Sequence, residues 1–348
     1  MMSPFRVAVS ARFRRTDGRW NFPYFDLAPL AGDAAFNVVH LGNGPALTGG
    51  ELRDFDGLIL ASEGLPREAL EGQSRLAVVA RFGVGYDQID VPACTEAGVA
   101  LTITPDAVRR PVAVAALTLV LALAGRLLIK DRLTRQGAAG FAVRTDHMGV
   151  GLEGRMLGSV GLGNIASEMF RLAAPLGMRH VAHDPFTDPD VARKNGVTMT
   201  DLDTLFREAD FLCLHCPLTP QTRHLVDAKR LRSMKPTAFL INTARGGVVD
   251  QSALEDALAE GHIAGAGLDV LDPEPPPGDA RILGLPNVIL SPHALAWTDQ
   301  CFAAIGAGCV SSMQAVSAGE APANVVNGAV LTAPAFRAKL AKRKGSAA

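Results

Sequence analysis

The sequence predicts an α/β protein of two doubly wound parallel-sheet domains. Two observations carry this: aliphatic strands that are apolar on both faces, and helical periodicity between them. A third is length, since 348 residues suffice for roughly two domains of about 150 each. Hydrophobic residues make up 48% and charged residues 20%, so a buried core is affordable.

The elements follow in order. VAVS (residues 7–10), NVVHL (37–41), GLILAS (57–62), LAVVARFG (76–83) and VALTI (99–103) read as the strands of a first unit. VAVAALTLVLALAG (112–125) is next, between Arg109, Arg110 and Arg126. It falls short of the roughly 20 residues a bilayer demands, and a helix apolar all round is buried in a core or between subunits. No membrane is expected. LGSVGLG, RHVAHD, FLCLHC, AFLINTA, GAGLDVL and NVILSPH then supply a second set of strands. After GLGN, Ile165, Met169, Leu172, Ala173 and Leu176 keep helical spacing until Gly177 closes the segment. Asp201, Asp227 and Asp250 stand where N-caps would satisfy the first amides of following helices. DPEPPPG (272–278) is a stiff loop. The helical segment 295–318 is expected to return to the first unit, making the second an insertion. The domains expected are 1–108 plus 295–331, then 109–294, with 332–348 as a basic tail. Lys339, Lys342, Arg343 and Lys344 read as a solvated, mobile end.

Lys+Arg 34 against Asp+Glu 35 leaves a net charge of -1, without the electrostatic footprint of a nucleic-acid binder. Five cysteines do not make a disulfide framework, and no secretory signal precedes the apparent first strand at 6–10, so a reduced, cytoplasmic setting is expected. Cys213 and Cys216 form a CxxC, but in an apolar run that reads as buried strand. No second pair completes a zinc set, and no metal is expected.

The local pattern richest in chemistry is Gly161-Leu-Gly163-Asn-Ile-Ala166, between a strand and a helix. Gly161 permits a tight turn, and Gly163 lets backbone approach a pyrophosphate at the helix N-terminus. Ala166 replaces a third glycine whose role is helix–strand packing. Asp184 ends the next strand about 20 residues on, where a carboxylate binds ribose hydroxyls and repels a 2′-phosphate. NAD is therefore expected over NADP.

The chain resembles the D-2-hydroxyacid dehydrogenase family, which includes phosphoglycerate and glyoxylate/hydroxypyruvate dehydrogenases. The resemblance rests on RFGVGYDQID (81–90), LGSVGLGNIA (157–166), HCPLTPQTRHLVD (215–227), INTARGGVVD (241–250), GAGLDVLDPEP (265–275) and SPH (291–293), in family order over about residues 76–331. It implies two Rossmann- or flavodoxin-like domains closing over an interdomain cleft, NAD as cofactor, and a homodimer formed through the 112–125 helix and the 126–153 arm. It implies that Arg245 binds the substrate carboxylate and polarises its carbonyl, and that Glu274 partners His293, the acid/base. Asp269 matches a carboxylate on the nicotinamide side. Asn164, Ile165, Cys216, Pro217, Thr222, Thr243 and Ala244 match cofactor-lining positions, and the backbone of Val84 and Gly85 matches an anion cradle. These residue types suit the chemistry. Histidine titrates nearest neutrality, a carboxylate beside it favours imidazolium and holds the ring, and arginine binds a carboxylate through two parallel bonds.

The pattern also departs from the family. Ala294-Leu295-Ala296-Trp297 follows His293 where two small residues are common, and Arg109-Arg110-Pro111 replaces a polar turn. Arg109 or Arg110 is expected either to face a dianionic substrate or to cap the long helix or pair with acidic residues across a subunit interface; Trp297 is expected to shape the pocket. Glu274 argues against formate as substrate, while phosphite oxidation retains the same triad. A dinucleotide-sensing binding protein of the corepressor type remains the alternative class of function.

Overall fold

The computed structural model describes residues 3–42, 44 and 46–344. It divides into two units, Met1–Val108 with Trp297–Ala348, and Arg109–Ala296.

The first unit carries five parallel strands: β1 (Phe5–Val9), β2 (Phe36–His40), β3 (Gly57–Leu60), β4 (Val78–Arg81) and β5 (Ala100–Thr102). Their order is β2-β1-β3-β4-β5, the flavodoxin-like arrangement. Leu58, Leu60, Val79 and Leu101 pack with Leu52, Leu65 and Leu70 on one face.

The second unit carries β6 (Met156–Val160), β7 (Arg179–His183), β8 (Thr198–Met199), β9 (Phe211–Leu214), β10 (Phe239–Asn242), β11 (Gly265–Leu268) and β12 (Val288–Leu290). The order β12-β11-β10-β9-β6-β7-β8 is the Rossmann order with one further strand at an edge. Strand order reverses between β6 and β9, which pair in parallel from Leu157↔Phe211 to Val160↔Leu214. Along β9, Phe211 and Cys213 enter one buried cluster, and Leu212 and Leu214 the other. Burial on both faces explains the unbroken apolar run. Asp201, Asp227 and Asp250 accept from the amides of Thr204, Arg230 and Ala253, so each caps the helix that follows. Gly177, at φ +71°, ends the segment after the glycine turn.

Four features differ from expectation. The long helix runs Pro105–Ala124 and encloses Pro111. Pro105 is pre-organised for a first turn and Asp106 complements the helix dipole, so it starts earlier than its apolar run. At 20 residues it is long and apolar enough to cross a bilayer, but Ala113, Ala116, Leu119, Val120 and Leu123 are buried with Leu157, Phe170 and Phe239. Cys216 lies past the end of β9 and is half-buried, unlike Cys213 within the strand. β8, only two residues long, had no legible signal.

The fourth correction is the basic tail. Residues Pro334–Lys344 are helical, with Phe336 1% exposed. Lys339 Nζ donates to the carbonyls of Gln73 (3.1 Å), Leu76 (2.7 Å), Ala97 (2.7 Å) and Gly98 (3.2 Å). The Arg343 guanidinium pairs with buried Asp56 at 2.5 Å and lies over the Phe5 ring. Orphan carbonyls and a buried carboxylate thus absorb the charge that composition assigns to solvent.

Candidate active site

The turn after β6 sits where strand order reverses. Gly161 adopts φ +94°, and a Cβ there would lie 2.9 Å from the His215 carbonyl oxygen, so both conformation and proximity to the chain after β9 demand glycine. Gly163 precedes the helix Asn164–Ala173, and a Cβ on it would meet none of the described residues within 4 Å. Gly163 and Asn164 are exposed, Ile165 is half-buried, and Ala166 is fully buried against the sheet. Asp184 holds this turn: one carboxylate oxygen accepts from Leu162 N at 2.8 Å, the other from Phe186 N at 2.9 Å. At the end of β10, Thr243 Oγ1 is buried without a hydrogen-bond partner among the described residues. An open helix N-terminus, a carboxylate at the end of β7 and an unsatisfied hydroxyl together fit a dinucleotide's pyrophosphate and ribose.

His293 and Glu274 come from different loops and meet. His293 Nδ1 lies 2.7 Å from Glu274 Oε1. With Nδ1 engaged, Nε2 is the ring nitrogen left to exchange a proton. Burial of Glu274 opposes its ionisation, but the His293 hydrogen bond and charge, the Leu271 backbone and the Arg245 guanidinium outweigh it. They hold its carboxyl below the usual range. His293 itself is in the left-handed region, φ +54°, with its amide donating to Asp269 O at 2.8 Å. Asp269 is buried, and its Oδ1 accepts from the Ser291 hydroxyl and from the amides of Ala294 (3.0 Å) and Leu295 (3.1 Å). This carboxylate therefore shapes the loop that carries His293.

Arg245 stands just past β10. Buried Asn242 donates from Nδ2 to Arg245 O at 2.9 Å and accepts from Ala244 N at 3.0 Å, which fixes the turn. A Cβ on Gly246 would overlap the Leu271 carbonyl and come within 2.8 Å of Asp272 N. The Arg245 turn is thus seated directly on the strap that leads to Glu274. A guanidinium, an imidazole and its carboxylate partner, 48 residues apart at their extremes (293 − 245), lie on loops locked to one another.

In the first unit, Gly83 turns the chain after β4 at φ +117°, and its carbonyl accepts from Thr104 N (3.0 Å) and Oγ1 (3.2 Å). Val84 and Gly85, both half-buried, follow on this pinned turn.

A family profile described as "D-isomer specific 2-hydroxyacid dehydrogenase, NAD binding domain" matches residues 117–294, about half of the chain. A glyoxylate reductase of Korarchaeum cryptofilum is 40% identical over 278 residues, 79% of this chain and 84% of that protein. The chain belongs to the D-isomer specific 2-hydroxyacid dehydrogenase family. A D-3-phosphoglycerate dehydrogenase of Methanocaldococcus jannaschii is 39% identical over 279 residues, 80% of this chain but 52% of that protein. Among solved structures, the TT0316 protein of Thermus thermophilus is 33% identical with a TM-score of 0.77, covering 92% of this chain and 99% of that one. The matched NAD-binding-domain profile falls within the second unit of this dehydrogenase, and the chain is an NAD-dependent 2-hydroxyacid oxidoreductase.

Other expected residues are placed as follows. Thr222 Oγ1 donates to Pro217 O at 2.6 Å and accepts from Thr219 N at 2.8 Å, so its hydroxyl closes the loop after Cys216. Burial pushes the Cys216 thiol up to about 11. Arg110 pairs with Glu168 at 3.1 Å within the second unit, and Arg171 holds the same carboxylate at 2.7 Å. Arg109 adds its charge there. The acidic partner of Arg110 thus lies in its own unit of the same chain. Trp297 is 51% exposed and packs against Phe22 and Phe302. Asn242, Gly246 and Ser291 were missed as positioning residues. The INTARGG glycines signalled a turn, but nothing local revealed what approaches it.

Proposed function

We propose that this dehydrogenase interconverts a D-2-hydroxy acid and its 2-keto acid, with His293 as general acid/base and Arg245 binding the substrate carboxylate and polarising its carbonyl. The observation that supports the reading is the 2.7 Å contact between His293 Nδ1 and Glu274 Oε1, which leaves Nε2 as the ring nitrogen for proton exchange. Bound NADH supplies the hydride to the carbonyl carbon. His293 Nε2 gives its proton to the oxygen on reduction and takes it back on oxidation. The Arg245 guanidinium stabilises the growing negative oxygen. The amides of Val84 and Gly85 cradle the carboxylate. Asp269 aids from the nicotinamide side by holding the His293 loop. Gly161, Gly163, Asn164 and Ile165 receive the pyrophosphate, and Thr243, Ala244, Cys216, Pro217 and Thr222 line the remaining cofactor surface.

Asp184 supports NAD over NADP, because its carboxylate repels a 2′-phosphate. A homodimer through the 112–125 helix and the 126–153 arm is supported by exposed apolar side chains: Val114 and Leu121, seven residues apart on one helix face, and Leu127, Leu128, Phe141, Val143 and Met148. Sedimentation at micromolar concentration tests the dimer.

Turnover tests the reaction. NADH oxidation is expected with acids drawn from glyoxylate, hydroxypyruvate and phenylpyruvate, and Arg245→Ala is expected to lower turnover about 10²–10³-fold. Tight NADH binding without oxidation across a broad keto-acid panel would refute the enzymatic reading.

A further inference from the structure

The first unit contains an aromatic cluster that neither the proton exchange nor cofactor binding uses. Phe82, the residue before Gly83, is buried at its centre, with ring centroids 5.1 Å from Phe13, 5.0 Å from Phe22, 5.2 Å from Phe25 and 5.9 Å from Phe302. Trp297 closes the outer edge, 5.7 Å from Phe22 and 5.3 Å from Phe302.

Exposure is graded across the cluster. Phe13, Phe25, Phe82 and Phe302 are buried, Phe22 is half-buried, and Trp297 shows 51% of its surface. Phe13 and Phe22 follow β1, and Phe82 follows β4, so the cluster gathers beyond the carboxyl ends of the strands. Ligands of open α/β sheets bind at that edge. Val84 and Gly85 lie on the same edge, immediately after the Phe82–Gly83 turn. An apolar wall on the same edge as the backbone proposed to hold the carboxylate suits a molecule with a carboxylate at one end and an apolar group at the other.

We propose that Trp297 and Phe22 are specificity-determining residues and that the preferred substrate is a 2-keto acid with an aromatic or bulky branched side chain. The inference rests on the proposed reaction and on the carboxylate lying at Val84 and Gly85; it adds what the remainder of the substrate touches. An aromatic side chain stacks on the exposed indole and the Phe22 edge, which are already held by buried rings and lose little freedom on binding. Glyoxylate, with no side chain, gains nothing from the wall.

The test measures kcat/KM of the full-length protein with NADH for phenylpyruvate and glyoxylate. The wild type is expected to favour phenylpyruvate. Trp297→Ala and Phe22→Leu should lower the phenylpyruvate-to-glyoxylate ratio about tenfold or more, the size of discrimination apolar pockets give, chiefly through KM. Trp297→Phe should restore most of it. The ratio, taken within one preparation, is insensitive to a fraction of misfolded variant. A wild type preferring glyoxylate, or equal losses on both acids, overturns the wall while leaving the reaction standing. Turnover of neither acid overturns the wall, and the reaction falls with it only where the broad keto-acid panel is refused as well.

Discussion

Gly246→Ala tests whether the Arg245 turn and the Glu274 strap form one mechanical piece. The added methyl would overlap the Leu271 carbonyl and come within 2.8 Å of Asp272 N, and both obstacles are backbone. No rotamer change relieves such a clash, so turn or strap must shift by on the order of 1 Å. Misplacement of that size costs about 10²-fold in a positioned reaction. Overpacking of this kind costs about 1–3 kcal/mol of stability. The expected result is kcat down about 10²-fold, with the dissociation constant for NADH changed by less than about threefold. The glycine turn after β6 is held separately, by His215 and Asp184. Steady-state kinetics, NADH fluorescence titration and a melting curve measure the three quantities. Gly278→Ala is the control, since its added methyl would meet none of the described residues within 4 Å. A folded Gly246→Ala protein with wild-type kcat would refute the seating of one loop on the other.

Three further outcomes follow from the same geometry. Glu274→Gln replaces the carboxylate that holds the His293 ring with a neutral amide, so kcat for keto-acid reduction should fall about 10–10²-fold in steady-state assays. Because the Glu274 carboxyl ionises more readily folded than unfolded, its pairing contributes stability above the ordinary carboxylate range and loses it as pH falls. Melting temperatures of wild type and Glu274→Gln should therefore converge in acid. Asp184→Ser should raise the NADPH-to-NADH ratio of kcat/KM about tenfold, while NADH binding also weakens because Leu162 N loses its acceptor. Lys339→Met should cost about 1–3 kcal/mol in urea denaturation, because carbonyls of Gln73, Leu76, Ala97 and Gly98 lose a shared donor.

What the sequence reveals divides along a physical line. Gly161, the three capping aspartates and the strands were legible because each is a local demand. A positive φ, an orphan amide or a doubly buried strand leaves its mark within a few residues. Asp184 was legible because one βαβ unit fixes its distance from the glycines. The His293–Glu274 pair is different: the two stand 19 positions apart, on either side of a 3-10 turn and β12, and only the family resemblance joined them before their contact was seen. Gly246 stood inside a quoted motif, yet its reason is tertiary, a strap 25 residues away; Asn242 in the same motif bonds a carbonyl only three residues on, but an asparagine alone does not name its partner. The same distance explains the misread charges. Lys339 and Arg343 look solvent-bound in a basic run, but the groups that take them up are more than 200 residues earlier. Arg110 finds Glu168 across 58 residues. The aromatic wall lies between these extremes. Trp297 drew notice because it breaks a pattern, whereas Phe22 gave no sign until β1 and β4 brought it beside Phe82. Chemistry common to the family is therefore written in short motifs, and substrate choice in contacts between segments whose spacing carries no signal. That is why the two-substrate ratio, which isolates those contacts, bears on the part of this enzyme that its motifs leave open.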